Sequence, residues 1–548
     1  MSLDRLPLRS GAPALALGIC MMLSACLTEN SHKDYIGPFV GDEAATSPTA
    51  AIVPDAPPEP PLAATTGPLA LSVVESVLLS LEHNRAFRVE RFNPPLQRTF
   101  EQEARAAFDP VLGAQGGQAR TRSQRLARFG TGVESQANEV TSVEGSITEF
   151  LPTGTTVGID ASGQRTESSL YTNTFTSLRG GVTITQALLR GFGLGVNLAD
   201  LRQARLTTLM SRYELRGLAE ALVAQVEETY WDTALAQRQI RIFEDSLRLA
   251  EQQLAETLER INVGELAESE LAAAEAEVAL RREALINARS ALATTRLQLL
   301  TLLNAPGPQP LERELVLENE PTTGDVQLDP VDRHIELARL LRPELNQARL
   351  AIQRNELEIV QTRNGLLPRL DLFVTLGKTG YADRLRPAID AWNEPGTYDT
   401  NYQAAFEYPL FNRRARALHR RAILTREQSV EALANLAQLV ETDVRTAYIE
   451  VNRTNEQIAA TAATRKFREQ TLASEVEKFR VGRSTNLLVA QAQRDLVESQ
   501  LAEVQAVVNY LKALINLYRL DGSLLERRGI AAPGREPLAD APKPTWRR

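Results

Sequence analysis

The sequence predicts an α+β membrane protein, with long α-helical coiled coils carrying the antiparallel strands of a β-barrel. Three observations point there. The chain repeats one helix–strand–helix plan in its two halves, its helical runs are too long for a globule, and short segments between them alternate apolar with polar residues. Of its 548 residues only 5% are aromatic while 24% are charged, which suits Ala/Leu/Glu/Arg helices better than one thick core. A net charge of −8 argues against a nucleic-acid partner.

The N-terminus reads as a targeting segment. Arg5 and Arg9 precede the apolar run Ala12–Leu23, too short for a membrane-spanning helix. The run leads into Leu23-Ser24-Ala25-Cys26, which resembles the lipobox of bacterial lipoproteins. That resemblance implies a signal peptide over 1–25, cleavage before Cys26 and acylation of its thiol. Cys20 would leave with the signal, so the mature chain would hold one cysteine and no disulfide. Leu27 stands where an aspartate would retain a lipoprotein in the inner membrane, so sorting by analogy favours the outer membrane. Residues 26–68, rich in Pro and Ala, read as a tether with little to bury.

From Leu69 onward the repeat is legible. Asn84–Ala114 matches Arg342–Leu372, with Pro110 facing Pro368, and Val226–Leu235 matches Val444–Arg453, with Tyr230 facing Tyr448. The run Asn197–Asn262 has no proline and carries apolar residues every three or four positions; its 66 residues would span about 100 Å. Ala422–Arg480 gives 59 more, about 90 Å. Such seams indicate coiled-coil packing.

The strand segments are Thr155–Ser162, Gly181–Gln186, Leu370–Gly377 and Tyr402–Tyr408. In the third, Leu370, Leu372, Val374 and Leu376 share a face; in the fourth, Tyr402, Ala404, Phe406 and Tyr408 do. This period of two fits a membrane barrel with a wet interior and equally a sheet lying on a soluble core. The flanking helices decide for the barrel, since elements about 100 Å long leave a sheet no core to lie on.

Together these features resemble the outer-membrane efflux proteins, the TolC-like channels, over nearly all of 69–522. The residues that carry the resemblance are Leu366-Leu367-Pro368-Arg369-Leu370-Asp371-Leu372 entering the strands, Tyr408–Ala417 leaving them, Tyr230 and Tyr448, and the doubled Val263-Gly264 and Val481-Gly482 breaks. The resemblance implies a homotrimer in which each chain gives four strands to a shared 12-stranded barrel and its helices to a periplasmic tunnel. It divides the chain into a first repeat (69–304), an equatorial connector (305–335), a second repeat (336–522) and a disordered tail (523–548). The function implied is a passive exit duct, fed by an inner-membrane pump of the RND or ABC type through a periplasmic adaptor, in efflux or type I secretion. A periplasmic coiled-coil scaffold without a pore is the alternative.

Several residues acquire roles through the resemblance. Gly264 and Gly482 become the turns of the periplasmic tip, near which the adaptor would dock; glycine reaches the left-handed conformation that closes a helix, and Ser484 or Thr485 can cap the helix that follows. Glu270, Leu488 and Gln491 fall where the family constricts the tunnel mouth, and only Glu270 carries a charge there. Phe479 lacks the hydroxyl of the tyrosine common at its place. Two departures stand out. Ala187 replaces a common proline, and Thr141–Gly163 reads as an additional hairpin turning at Pro152-Thr153-Gly154, which leaves the strand count per chain open.

Other motifs have plainer explanations. Arg190–Gly195 (RGFGLG) lacks the βαβ context of a dinucleotide loop and reads as a bend from strand into helix. The basic run Asn412–Arg421 reads as a solvated helix start or a contact with outer-membrane lipid head groups. His32, His83, His334 and His419 are scattered, with no metal-ligand spacing, and Glu275 and Glu277 sit on charged helix faces. No cofactor, metal or catalytic constellation is expected. Cys26→Ala should abolish incorporation of labelled fatty acid and block processing at that site; undiminished labelling would refute the lipid anchor.

Overall fold

A computed structural model describes residues 68–531 and 534, except 127–131, 170–172, 308, 325–326 and 395. The signal peptide, Cys26, the tether and residues 535–548 lie outside the described residues.

The chain begins with β1 (Leu69–Leu71), then α1 (Val73–His83), α2 (Arg85–Glu90) and α3 (Asn93–Ala106). Ser72 and Glu75 form a reciprocal capping box that starts α1. Four strands follow: β2 (Val111–Leu126), β3 (Val133–Leu151), β4 (Thr155–Ser168) and β5 (Phe175–Ala187). A single turn, α4 (Leu194–Asn197), leads into the long hairpin of α5 (Ala199–Asn262) and α6 (Ser269–Leu303). After β6 (Leu315–Leu317) the plan repeats as α7 (Val331–Leu341), α8 (Pro343–Asn364), β7 (Arg369–Ala382), α9 (Leu385–Asn393) and β8 (Asp399–Glu407). The second long hairpin, α10 (Arg413–Arg480) and α11 (Asn486–Leu520), precedes the short α12 (Leu524–Arg527). The helices α5 and α10 hold 64 and 68 residues, each about 100 Å long.

The main sheet is antiparallel, in the order β2-β3-β4-β5-β7-β8. Six strands, not four, come from this chain. The difference is the Thr141–Gly163 segment, which forms a true hairpin: β3 pairs with β2 on one side and β4 with β5 on the other. Its turn is locked against the strand-to-helix bend. Gly193 N–H donates to Thr153 O at 3.1 Å and Ala187 N–H to Gly154 O at 3.0 Å. A proline at 187 would have no N–H to give, so Ala187 matches the presence of the extra turn. A Cβ on Gly154 would stand 2.2 Å from Gly191 O. Gly191 (φ +88°) and Gly193 (φ +99°) make the bend itself. Their N–H groups are taken by Asn364 and Thr153, so the RGFGLG loop offers no amide cradle for phosphate.

Both halves meet in one core midway along the helices. Val223, Val226 and Tyr230 of α5 pack with Leu299, Leu300 and Leu303 of α6, Val440 and Val444 of α10, and Leu514 and Leu517 of α11. β1 pairs in parallel with β6, so the connector completes this belt. Tyr230 is fully buried; its hydroxyl donates to Leu71 O at 3.0 Å and accepts from Asn319 N at 3.1 Å. One side chain thus fastens the first strand to the connector. His334, also fully buried, bonds Asp521 at 2.7 Å and ties α7 to the end of α11.

The C-terminal expectation needs correction. Residues 523–530 are not a disordered tail: Leu524 and Leu525 are fully buried in the core, and Arg528 grips the buried Glu227 through two bonds of 2.6 and 2.7 Å. A two-leucine anchor is too short to show a period, so sequence pattern alone did not separate it from the tail. Arg216 on α5, 1% exposed, reaches Glu526 at 2.6 Å, Gly522 O at 3.1 Å and Glu220 at 3.1 Å. Burial is the main cause that raises the Glu220 carboxyl to about 8, and Arg216 only partly opposes it. The sign of the pH dependence follows. Ionising Glu220 costs the folded state more than the unfolded one, so its contribution is full below about pH 4.5 and is lost as pH rises through about 8. Glu220→Gln should flatten the fall in melting temperature across that window, and parallel profiles for both proteins would contradict this. Tyr230→Phe leaves Asn319 N–H unpaired, while Leu71 O keeps the Glu318 N–H at 3.1 Å, and should cost about 1–3 kcal/mol; a melting temperature equal to the parent's would contradict that.

Candidate functional site

Two parts of the chain carry the chemistry of a conduit: the sheet and the far end of the helical hairpins. The sheet is two-faced. Strand pairing puts Leu112, Ile147, Ile159, Val182 and Leu376 on one face, with Val143, Val157, Ile184, Leu372, Val374, Tyr402 and Phe406. The other face carries Gln115, Glu144, Ser146, Asp160, Arg179, Thr183, Thr375, Asp399 and Gln403. Arg179 pairs with Asp399 at 2.8 Å, and Gln115 bonds Glu144. The apolar face is open, with Leu112 79% and Phe406 68% exposed. So wide an apolar surface is unstable in water and stable in lipid. No helix among the described residues is long and apolar enough to cross a membrane.

Aromatic and basic groups mark the ends of the apolar band. At one end α9 lies on the sheet with Trp392 over Gly180, its indole N–H donating to Lys378 O at 3.0 Å. A Cβ on Gly380 would meet Ala388 O at 2.3 Å, so glycine is what admits the helix. At the other end Tyr408, Leu410 and Phe411 are exposed beside Arg413, Arg414 and Arg416. Asn412 turns this corner at φ +41° and bonds Leu366 O. Aromatic side chains followed by arginines suit a membrane–water boundary. The basic segment is helical from Arg413, so it forms the start of α10 and lengthens the Ala422–Arg480 run read from the sequence.

The two glycine turns match each other. Gly264 (φ +78°) and Gly482 (φ +71°) end α5 and α10. Gly264 N–H donates to Ile261 O and Glu265 N–H to Arg260 O; Gly482 and Arg483 repeat both bonds to Phe479 and Lys478. This is the paired closure of a left-handed helix end. The following helices differ from expectation. Thr485 stands at the N-cap of α11, but its side chain makes no capping bond. Ser484 instead donates to Glu475 at 2.8 Å, and with Lys478 it holds that carboxyl below its ordinary value, Lys478 being the larger cause.

The structure brings the two turns together. The Arg260 guanidinium lies 5.0 Å from the Phe479 ring centre, so Phe479 makes a cation–π contact where a hydroxyl was missed. Gln253 bonds Asn486 at 2.6 Å and Gln493 at 2.8 Å, joining α5 to α11 through two nearly buried residues. Glu277, read as a solvated carboxylate, is 12% exposed, ion-paired with Arg281 at 2.6 Å and hydrogen-bonded by Arg494 at 3.1 Å. Glu275 does face solvent. Polar residues on an otherwise apolar seam were the available signal for this clasp. Glu270 is half-buried in the first turn of α6, where its N–H donates to Ala267 O at 3.0 Å and its carboxylate makes no hydrogen bond or ion pair among the described residues; Leu488 and Gln491 are exposed on one face of α11. The single chain does not join these three. No cluster among the described residues could hold a metal ion.

A family model described as outer membrane efflux protein matches residues 79–305 and 334–523. No curated protein matches the chain. Solved structures do, at 14–19% identity and over 82% of this chain. The crystal structures of CusC, titled for transmembrane channel formation, align at TM-score 0.61, 19% identity and 92% of that chain. The open state of the Neisseria gonorrhoeae MtrE outer membrane channel aligns at 0.59, 17% and 89%. The Vibrio cholerae outer membrane protein VceC aligns at 0.60, 14% and 96%. At this identity they speak for the fold.

Gln253→Leu removes two bonds from the clasp and leaves Asn486 and Gln493 unpaired, a loss of about 1–3 kcal/mol. Amide hydrogen exchange at residues 259–268 and 478–487 should accelerate, while the core around Tyr230 is unchanged. Equal exchange at both turns would show that the clasp does not hold them.

Proposed function

This chain belongs to the outer membrane efflux protein family, and from that premise we propose that three copies form one exit duct serving an inner-membrane pump. The chain is an efflux channel of the outer membrane and not an enzyme. The observation that carries the proposal is the two-faced sheet with unpaired strands at both edges, β2 and β8, standing on helices about 100 Å long. Backbone groups left open at a sheet edge are not tolerated in lipid, so edges of neighbouring copies must pair. The long hairpins then line a periplasmic tunnel beneath the barrel.

The remaining parts take roles within this reading. Cys26 carries the lipid that anchors the chain beside the barrel, and the arginines after Phe411 meet lipid head groups. A periplasmic adaptor docks at the Gly264 and Gly482 turns and couples the duct to an RND or ABC-type pump, for efflux or type I secretion. Around the threefold axis Glu270 appears three times at the tunnel mouth, beside Leu488 and Gln491. Converging carboxylates repel one another and attract cations, while Leu488 closes the passage by apolar contact.

Purified protein in a planar bilayer should give discrete conductance steps. A chain that is trimeric yet never conducts, even with the mouth loosened, would be the poreless scaffold instead. Glu270→Gln should lower cation preference and leave the resting pore largely closed, whereas Leu488→Ala should raise resting conductance. Unchanged selectivity in the first variant would return Glu270 to an ordinary helix face.

A further inference from the structure

We infer that the β3–β4 hairpin is a full part of the membrane wall, so that the assembled exit is an eighteen-stranded barrel wide enough for compact polypeptide cargo. The inference rests on the trimer reading for its total, three copies of six strands, and on this chain alone for the six.

The hairpin has every property of wall and none of a flap. β4 holds 14 residues and β3 holds 19, and about 9–11 tilted residues suffice to cross the hydrocarbon layer. The hairpin sits inside the sheet, between β2 and β5, and pairs on both sides. Its apolar residues, Val143, Ile147, Val157 and Ile159, share a face with Leu112 on one side and Val182 and Ile184 on the other, so the lipid-facing band continues through it, interrupted by Glu149 near the tunnel end. At the tunnel end its turn is built into the bend before α4. Asn197 bonds Pro152 O at 3.0 Å and Gly191 O at 2.9 Å, beside the Thr153 and Gly154 bonds already described. Lifting the hairpin out would break that joint and leave β2 and β5 with open edges inside the sheet.

Width follows from strand number. With strands about 4.7 Å apart and tilted about 40°, eighteen close into a wall about 35 Å across between backbones, against about 24 Å for twelve. Side chains take about 5 Å from each wall, half the spacing of packed sheets, which leaves about 25 Å against about 14 Å. The hairpin also lines what it widens. Glu144 and Asp160 face the polar side with Ser146, Thr148 and Ser162, and among the described residues neither carboxylate is ion-paired. Two carboxylates per chain make a water-filled, acidic exit. Its matching cargo is hydrophilic, neutral or cationic, and of polypeptide rather than drug width.

Two measurements on the full-length protein test this. Cryo-electron microscopy of the detergent-extracted particle should show six wall strands per chain and, for a threefold particle, a barrel about 35 Å across; four wall strands per chain, or a threefold barrel near 24 Å, would overturn it. A particle of other symmetry would defeat the trimer reading, while the strand count per chain would still decide this one. In bilayers, neutral polyethylene glycols added on the barrel side should lower conductance up to polymers about 25 Å in hydrated diameter. Exclusion of every polymer wider than about 14 Å would contradict the wider exit.

Discussion

The constraint on which this structure depends is the unpaired backbone at the two edges of its sheet. Each N–H or C=O exposed along β2 or β8 would cost several kcal/mol in hydrocarbon, where no water can satisfy it. A lone chain cannot meet that demand, because a six-stranded sheet with its apolar and polar faces separated does not close on itself. The demand sets the rest of the design. Copies must come together edge to edge, the polar faces must turn inward, and the helices below must then stand around the same axis.

The equatorial core converts that arrangement into one rigid protomer. Helices of about 100 Å would bend and slide if they met only along seams. Here both hairpins are clamped at mid-length, where leucines and valines from both halves interlock around Tyr230. Charge is used sparingly and always with partners. Arg216 and Arg528 hold the segment after Gly522 against α5, so residues 523–528 brace the first long helix. At the far end the contacts are more polar: an arginine on a phenylalanine, two glutamines and an asparagine, one half-exposed ion pair. Such contacts break at lower cost than a hydrophobic core, which suits the opening of the mouth proposed at this end.

Much of this was legible in the sequence, for identifiable reasons. The long helices show because a period of 3.6 persists over sixty residues, and β4, β5, β7 and β8 show because β-branched and aromatic residues alternate with polar ones. Gly264 and Gly482 are legible because each interrupts an otherwise strong helix. β2 was not, since its run of Gly, Gln, Ala and Arg alternates too weakly to mark a strand. The clasp was not either. Glu277 lies on a charged helix, and nothing local reveals that Arg494, 217 residues away, reaches it. The constriction proposed at Glu270, Leu488 and Gln491 would depend on neighbouring copies, so one chain cannot display it.

Pairing between β8 of one copy and β2 of the next can be read directly. A single cysteine at Gln403, combined one at a time with cysteines from Val111 to Gln118 in a chain that keeps Cys26, would be oxidised in the membrane, with the parent chain as the control for any disulfide through Cys26. The account predicts that at least one combination yields a covalent ladder ending at three chains, with reactive partners spaced two residues apart along β2. Only monomers throughout the scan, or ladders ending at two chains, would contradict closure of the barrel by these edges.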